Sequence, residues 1–358
     1  YEKYNPPFYI FSRYQDLNNA LLDAETYIEG QGNGPNLGQS LGILSDAPHH
    51  TFIRDLIQKA FLAKQIDQLQ PRLEEIVTDL LDAVEKKKSW DLHDDLSFPL
   101  PVIIICEILG IPTHDISKFK RWADASVASM CSEDPTEFES DLVEMGNYLL
   151  EQILMKREQQ TAENDDLLSV IAKAKLDGKY LSDQESVALV TQIFVAGNET
   201  TTSLISNLVW RLLTIDNLWE EFIKDRIDLN AAINESLRFD PPLLGLFKTA
   251  SRDIKVDDVI VPSGAKIMMH YGAANRDPSA FVDPNKFDVG RKGKKVLSFS
   301  VGIHVCIGRE LAKLEASVAL KALRERYPKL SLINEGKRVG PFLFWGRAKL
   351  PVSHLTTK

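Results

Sequence analysis

Phe299-Ser300-Val301-Gly302-Ile303-His304-Val305-Cys306-Ile307-Gly308, continuing into Arg309-Glu310-Leu311-Ala312, sets one cysteine at the end of a glycine-punctuated loop and the start of a helix. Unpaired backbone N–H groups and the positive end of the helix dipole favour a thiolate there, the form that iron binds. Gly302 lets the loop bend sharply, and Gly308, lacking a Cβ, lets the first helical turn lie flat against a planar partner. His304 can offer a ring N–H or a positive charge to an acidic group beside it. A lone cysteine is more often a small buried hydrophobe, and Cys106 and Cys131 read that way. His304 and Cys306 do not make a zinc site, because no second Cys or His pair lies at metal spacing to complete four ligands.

A second group of residues lies on a helix that the capping box Ser182-Asp183-Gln184-Glu185 begins. Its apolar periodicity persists to about Leu213, giving roughly 45 Å at 1.5 Å per residue. The middle, Ala196-Gly197-Asn198-Glu199-Thr200-Thr201, is weak for a helix, with a glycine and threonine hydroxyls that compete for backbone carbonyls. Thr200 bonded back to a carbonyl and Glu199 in solvent is one reading. An acid–alcohol pair that passes a proton is the other. Gln192, Val195, Ala196 and Glu199 fall at three- and four-residue steps on one face. A buried amide without a partner costs roughly 1–3 kcal/mol. Gln192 is therefore expected to meet a polar group on a ligand, or else a neighbouring loop, with Val195, Leu244, Leu246 and Phe247 supplying apolar wall.

The complete spacing Phe-x-x-Gly-x-His-x-Cys-x-Gly-x-x-Leu-Ala from Phe299 to Ala312 resembles the haem-binding loop of cytochrome P-450, the haem-thiolate monooxygenase family. Ala196-Gly197-x-Glu199-Thr200 and the Asp-x-Pro-x-His-Thr-x-x-Arg segment from Asp46 to Arg54 are similar to further motifs of that family. The likeness runs from about Asp46 to the C-terminus. It implies haem b (iron protoporphyrin IX), with Cys306 as the iron ligand and Phe299, Gly302, His304, Ile307 and Gly308 around it. Ala196 and Gly197 would form a groove over the haem where oxygen binds, and Glu199 and Thr200 would manage its protons. His50 and Arg54 would donate to a haem propionate. Lys248 falls where many relatives carry a propionate-binding arginine, and it keeps the charge but loses the bidentate fork. Glu235 and Arg238, at i and i+3 on a helix ended by Asp240-Pro241-Pro242, would be a buried structural pair tied to the segment before the cysteine loop.

The activity so implied is insertion of one oxygen atom from O2 into a small, largely apolar substrate: hydroxylation, or a related O-dealkylation or epoxidation. Electrons would come from an external ferredoxin or flavodoxin with its reductase; Lys292, Lys294, Lys295, Arg309 and Lys313 form a local basic cluster that could dock it or be only a solvated basic loop. A peroxide-driven peroxygenase on the same fold is the alternative within enzymes, and an intact Glu199-Thr200 argues against it. A haem protein that only binds, as sensor or carrier, leaves that pair without a purpose.

The elements that must position these groups are mostly helices. From about Asp46 to Leu213 apolar residues recur at three and four, as in Leu73, Ile76, Val77, Leu80, Leu81 and Val84. After Pro242 short β-like runs follow (Ile254 to Val256, Val259 to Val261, Ala265 to Met269), broken by turns. Between Asn275 and Lys295 the pattern is an irregular meander packed by Phe281 and Phe287. Helix returns from Gly308 to about Tyr327, with short strands to the end. A mainly α fold with a minor β region is expected, in one domain over residues 1–358.

At 44% hydrophobic and 26% charged, the 358 residues can build a large core. A net charge of −9 disfavours nucleic acid. Three cysteines suit a reducing compartment, so a cytoplasmic location is expected. A monomer is expected as well. Phe98 to Pro112, the most apolar run, is too short to span a bilayer, carries Glu107 and reads as a core helix. The chain opens at Tyr1, so a trimmed natural start is expected. The loops that shape the pocket, about Gly30 to Leu44 and Ser132 to Asn164, have no readable code.

Overall fold

The computed structural model describes residues 7–35, 38–113, 116–159 and 166–354. Its longer helices are α1 (Tyr14–Leu22), α2 (His49–Ile57), α3 (Gln70–Val84), α4 (Pro99–Leu109), α5 (Ile116–Ser129), α6 (Glu139–Glu158), α7 (Asp183–Thr214), α8 (Leu229–Phe239) and α9 (Arg309–Arg326). The molecule is mainly helical with small sheets, as expected.

Helix α7 organises the body. Ser182 Oγ accepts from Glu185 N at 3.2 Å, and the Glu185 carboxylate accepts from Ser182 N at 2.9 Å. These two bonds satisfy N-terminal groups that the helix leaves unpaired. From Thr201 to Val209 every residue is buried, polar ones included, because α4, α6, α8 and α9 pack around it. A helix buried on all sides needs no polar face. The apolar α4 is the run from Pro99, and it stops at Gly110 in the left-handed conformation (φ +75).

Six of the strands bear on the site and form a second, smaller layer, β1 (Tyr9–Phe11), β2 (Tyr27–Ile28), β3 (Leu246–Ala250), β4 (Ile254–Val256), β5 (Val259–Val261) and β6 (Lys266–Met269), and the remaining short strands pair in small sheets of two or three. Four of them make one sheet in the order β1-β6-β3-β2, with β1 parallel to β6 and the other pairs antiparallel. β4 and β5 form a separate hairpin. The expected runs at 254–256, 259–261 and 265–269 are strands, within one residue. β1, β2 and β3 were not expected, because β3 finds its partners in segments remote along the chain and its inner face carries a lysine. The meander packs as expected, with Phe281 buried and Phe287 edge-on to Phe239 at 5.7 Å between ring centres. Among the described residues no helix is long and apolar enough to cross a membrane.

Candidate active site

The cysteine loop is held by its own backbone. Cys306 N–H donates to Phe299 O at 2.8 Å, closing the loop just before α9. Gly302 has φ +78, and a Cβ there would lie 2.6 Å from the Leu21 carbonyl of α1, so only glycine fits. A Cβ on Gly308 would meet nothing within 4 Å. Gly308 therefore leaves a bare face beside the thiol.

Cys306, Ile307, Gly308 and Phe299 form one wall of a cavity whose facing wall is Ala196 and Thr200 of α7. The thiol is open to this cavity and enclosed by protein elsewhere. Burial pushes it above its ordinary value, against the opposing pull of the Gly308 N–H, Arg54 and Arg309. Burial thus works against the helix terminus, which favours the thiolate.

Helix α7 is regular through its weak segment. Thr200 Oγ1 donates to Ala196 O at 2.8 Å. Ala196 presents its methyl to the cavity, whereas a Cβ on Gly197 would sit 3.3 Å from Ile105. Gly197 lines the cavity too, with Ile105 of α4 beside it. Glu199 is not in solvent: it is 5% exposed, accepts from Ser203 Oγ at 3.2 Å, and burial lifts it to about 7. Its carboxyl lies behind α7, towards Asp124 and Lys120 of α5, and does not line the cavity.

At one end of the cavity His50, Arg54 and His304 gather. The His50 and His304 rings are 4.2 Å apart between centres. His304 is held neutral, at about 3, by burial and then by Lys248, His50 and Arg54. Burial, then Arg54, lowers His50 too, and its Nε2 is buried without a partner. The site therefore offers ring N–H groups and the Arg54 charge to an anionic group. Lys248 departs from expectation: its Nζ lies 2.9 Å from Glu29 and donates to Tyr27 O at 3.3 Å, so its charge is already matched. The Glu29 carboxylate also lies 3.4 Å from His304 Nδ1. A planar, anionic iron group fits this arrangement, with a thiol against a bare glycine face and an orphaned donor at the cavity's end.

The expected pocket wall is partly corrected. Leu246 lines the cavity, with Leu243 beside it. Phe247 is buried on the opposite side of β3, edge-on to Phe8 at 4.8 Å, because alternate residues of a strand face opposite ways. Leu244 packs on Gly272, and Val195 packs on the cluster around Phe247 and Phe344, outside the cavity lining. Gln192 Nε2 donates to Leu41 O at 2.7 Å, and its Oε1 accepts from Ile43 N at 2.9 Å. Both ends of the amide are satisfied, so the reason for expecting a polar group on the ligand is gone. Of the pocket-shaping loops, residues 36–37 and 160–164 lie outside the described residues.

Glu235 and Arg238 are buried, and Arg238 uses all five of its N–H donors. Two bind Glu235, at 2.8 Å each, and the others bind the carbonyls of Asn275, Pro284 and Lys286 at 2.8–2.9 Å. Glu235 in turn accepts from Asp288 N at 2.8 Å, pinning the meander to α8.

Two acids escaped sequence reading. Glu29 had no motif around it. Glu315, on α9, lies in the cavity wall with its Oε2 unpartnered, and burial raises it well above the carboxylate range. A glutamate on the apolar face of that helix was the available signal.

The comparisons with known proteins agree with this geometry. A family profile described as Cytochrome P450 matches residues 4–337. Cytochrome P450 107B1 of Saccharopolyspora erythraea is 36% identical over 90% of this chain and 83% of that protein. The vitamin D(3) 25-hydroxylase of Pseudonocardia autotrophica is 32% identical over 91% of this chain and 82% of its own length. The crystal structure of CYP109E1 from Bacillus megaterium with testosterone superposes with a TM-score of 0.87, at 28% identity, covering 97% of this chain and 92% of that one. By profile, by relatives and by fold, the chain belongs to the cytochrome P450 family and is a haem-dependent P450 monooxygenase.

Proposed function

We propose that the chain hydroxylates, or oxidises in a related way, a largely apolar organic molecule, with haem b bound through Cys306. The observation that carries this is the Cys306 thiol facing Ala196 and Thr200 across a cavity that Ile43, Leu243 and Leu246 line with apolar surface and whose end holds His50, Arg54 and His304. When bound, haem supplies the activation of O2 that no side chain can perform. Ile307 and Gly308 would lie beside it next to the thiol, and His50, Arg54 and His304 would donate to its carboxylates. The names of relatives that act on or bind lipophilic molecules, vitamin D3 and testosterone among them, support an apolar substrate class.

The chain's own part is to exclude water and hold protons. Leu243, Leu246, Ile43 and Leu44 present apolar surface to the substrate. The Thr200 hydroxyl is the protic group on the oxygen side. Glu199, poised at about 7, can hold a proton on its carboxyl behind α7 and, once it has given that proton up, can be reprotonated from the α5 side. Electrons come from a separate ferredoxin or flavodoxin. A second cleft is lined by Arg291, Lys292, Lys294, Lys295, Arg309 and Lys313 together with Phe299 and Val305, next to the cysteine, and suits an acidic partner.

The test is spectroscopic. The reduced, carbon monoxide-bound protein is expected to show the red-shifted Soret band of a thiolate haem, and Cys306→Ala to abolish it. A normal thiolate band in that variant would overturn the assignment. A spectral screen of lipophilic compounds then identifies the substrate class.

A further inference from the structure

The turn Gly42–Leu44 lies flat on α7. Gly42 has φ +66, and a Cβ there would lie 2.6 Å from Gln192 Oε1 and 3.2 Å from Leu189 Cα, so the backbone touches the helix and only glycine is accommodated. Ser45 closes the turn from the other side, its Oγ donating to Gly42 O at 2.6 Å. Gln192 supplies the remaining hold: a donor to Leu41 O and an acceptor from Ile43 N. A primary amide suits this task, since it offers a donor and an acceptor side by side. Asparagine is one methylene shorter, glutamate lacks the donor, and leucine lacks both. The side chains carried by the pinned turn, Ile43 and Leu44, point into the cavity beside Ala196, Thr200 and Cys306.

We infer that Gln192 sets ligand selectivity through the turn it holds: its side chain borders the cavity with both ends of the amide bound to the chain, and as a positioning residue it clamps the 41–44 turn to α7 and so fixes Ile43 as a wall of the cavity. The inference rests on the reading of this cavity as the haem and substrate site. Releasing the clamp lets Ile43 withdraw, which favours bulky ligands over small ones.

The experiment uses the haem-loaded protein and two probes that ligate haem iron, imidazole and clotrimazole, titrated by their spectral shifts. Gln192→Leu is expected to change the ratio of the two dissociation constants about fivefold or more in favour of clotrimazole, a size in keeping with small changes to an apolar pocket. Amides of residues 42–45 should exchange about tenfold faster, reporting local opening of the turn. Gly42→Ala, which breaks the same contact from the loop side, should reproduce both effects and serves if Gln192→Leu does not fold. In an Ile43→Ala background the Gln192 change should leave the ratio within about twofold, because coupled residues do not add. Unchanged exchange, or an equal shift of the ratio with Ile43 already removed, would overturn the clamp. Failure of the haem reading would look different: the parent protein would show no azole spectrum at all.

Discussion

The Lys248 ammonium and the Glu29 carboxylate stand 2.9 Å apart, at 2% and 10% side-chain exposure, within the cluster that also holds His304. A protein carboxylate thus occupies part of the cationic corner of the cavity. Burying such a pair gives little net stability, but removing one partner strands the other charge. Lys248→Met is therefore expected to cost about 3–5 kcal/mol in urea unfolding. The double variant with Glu29→Gln should regain most of that loss. A Lys248→Met protein as stable as its parent would mean the pair is not formed.

Glu199 sets a pH dependence whose sign is fixed. Its folded value, about 7, lies above the usual carboxylate range, so the folded state binds the extra proton between roughly pH 4.5 and 7. Its contribution is fully present below the lower value and is lost as pH rises through the higher one, amounting to about 3 kcal/mol. Stability profiles of the parent and Glu199→Gln, compared by urea unfolding at pH 5 and pH 8, should diverge in that sense. Parallel profiles would place Glu199 in contact with solvent.

Thr200→Ala keeps the helix, because the hydroxyl's bond to the Ala196 carbonyl is one the backbone does not need. Haem and substrate binding should persist while more peroxide is released per electron consumed, since the protic group on the oxygen side is gone. Peroxide yield measured against reductant consumption checks this, and unchanged coupling would make Thr200 structural.

Arg238→Lys is expected to be severe although the charge is conserved. Three meander carbonyls and both Glu235 oxygens depend on the guanidinium fork, which an ammonium cannot reproduce. We expect a loss of about 3 kcal/mol or more and a meander open to protease between Asn275 and Lys295. Limited proteolysis of the variant reads that out.

How much of this was legible in the sequence depends on range. The cysteine loop, the capping box at Ser182 and the Glu235–Arg238 pair are written in neighbouring residues, and each stands where local pattern put it. The cavity's end is not local. Glu29 meets Lys248 only because β2 pairs with β3, and no spacing rule relates residues so far apart. Phe247 failed as a wall residue for a different reason: Leu246 and Phe247 are adjacent and equally apolar, and only the face that β3 turns to the sheet's core tells them apart. Gln192 was placed on the correct face, but the loop carbonyl that satisfies it lies some 150 residues away.

The parallel pairing of β1 with β6 joins Tyr9 to Ile267. A ribosome that has made the first two hundred residues has supplied only one half of that sheet, and α7, around which α4, α6, α8 and α9 pack, is not yet complete. Glu29, His50 and Arg54 must then wait for Lys248, His304 and Cys306 before the cavity has its walls. Contacts of such long range form late, after the chain is almost entirely synthesised. Capture of the prosthetic group is accordingly an event of the finished polypeptide, and a nascent chain stalled before residue 306 should bind none.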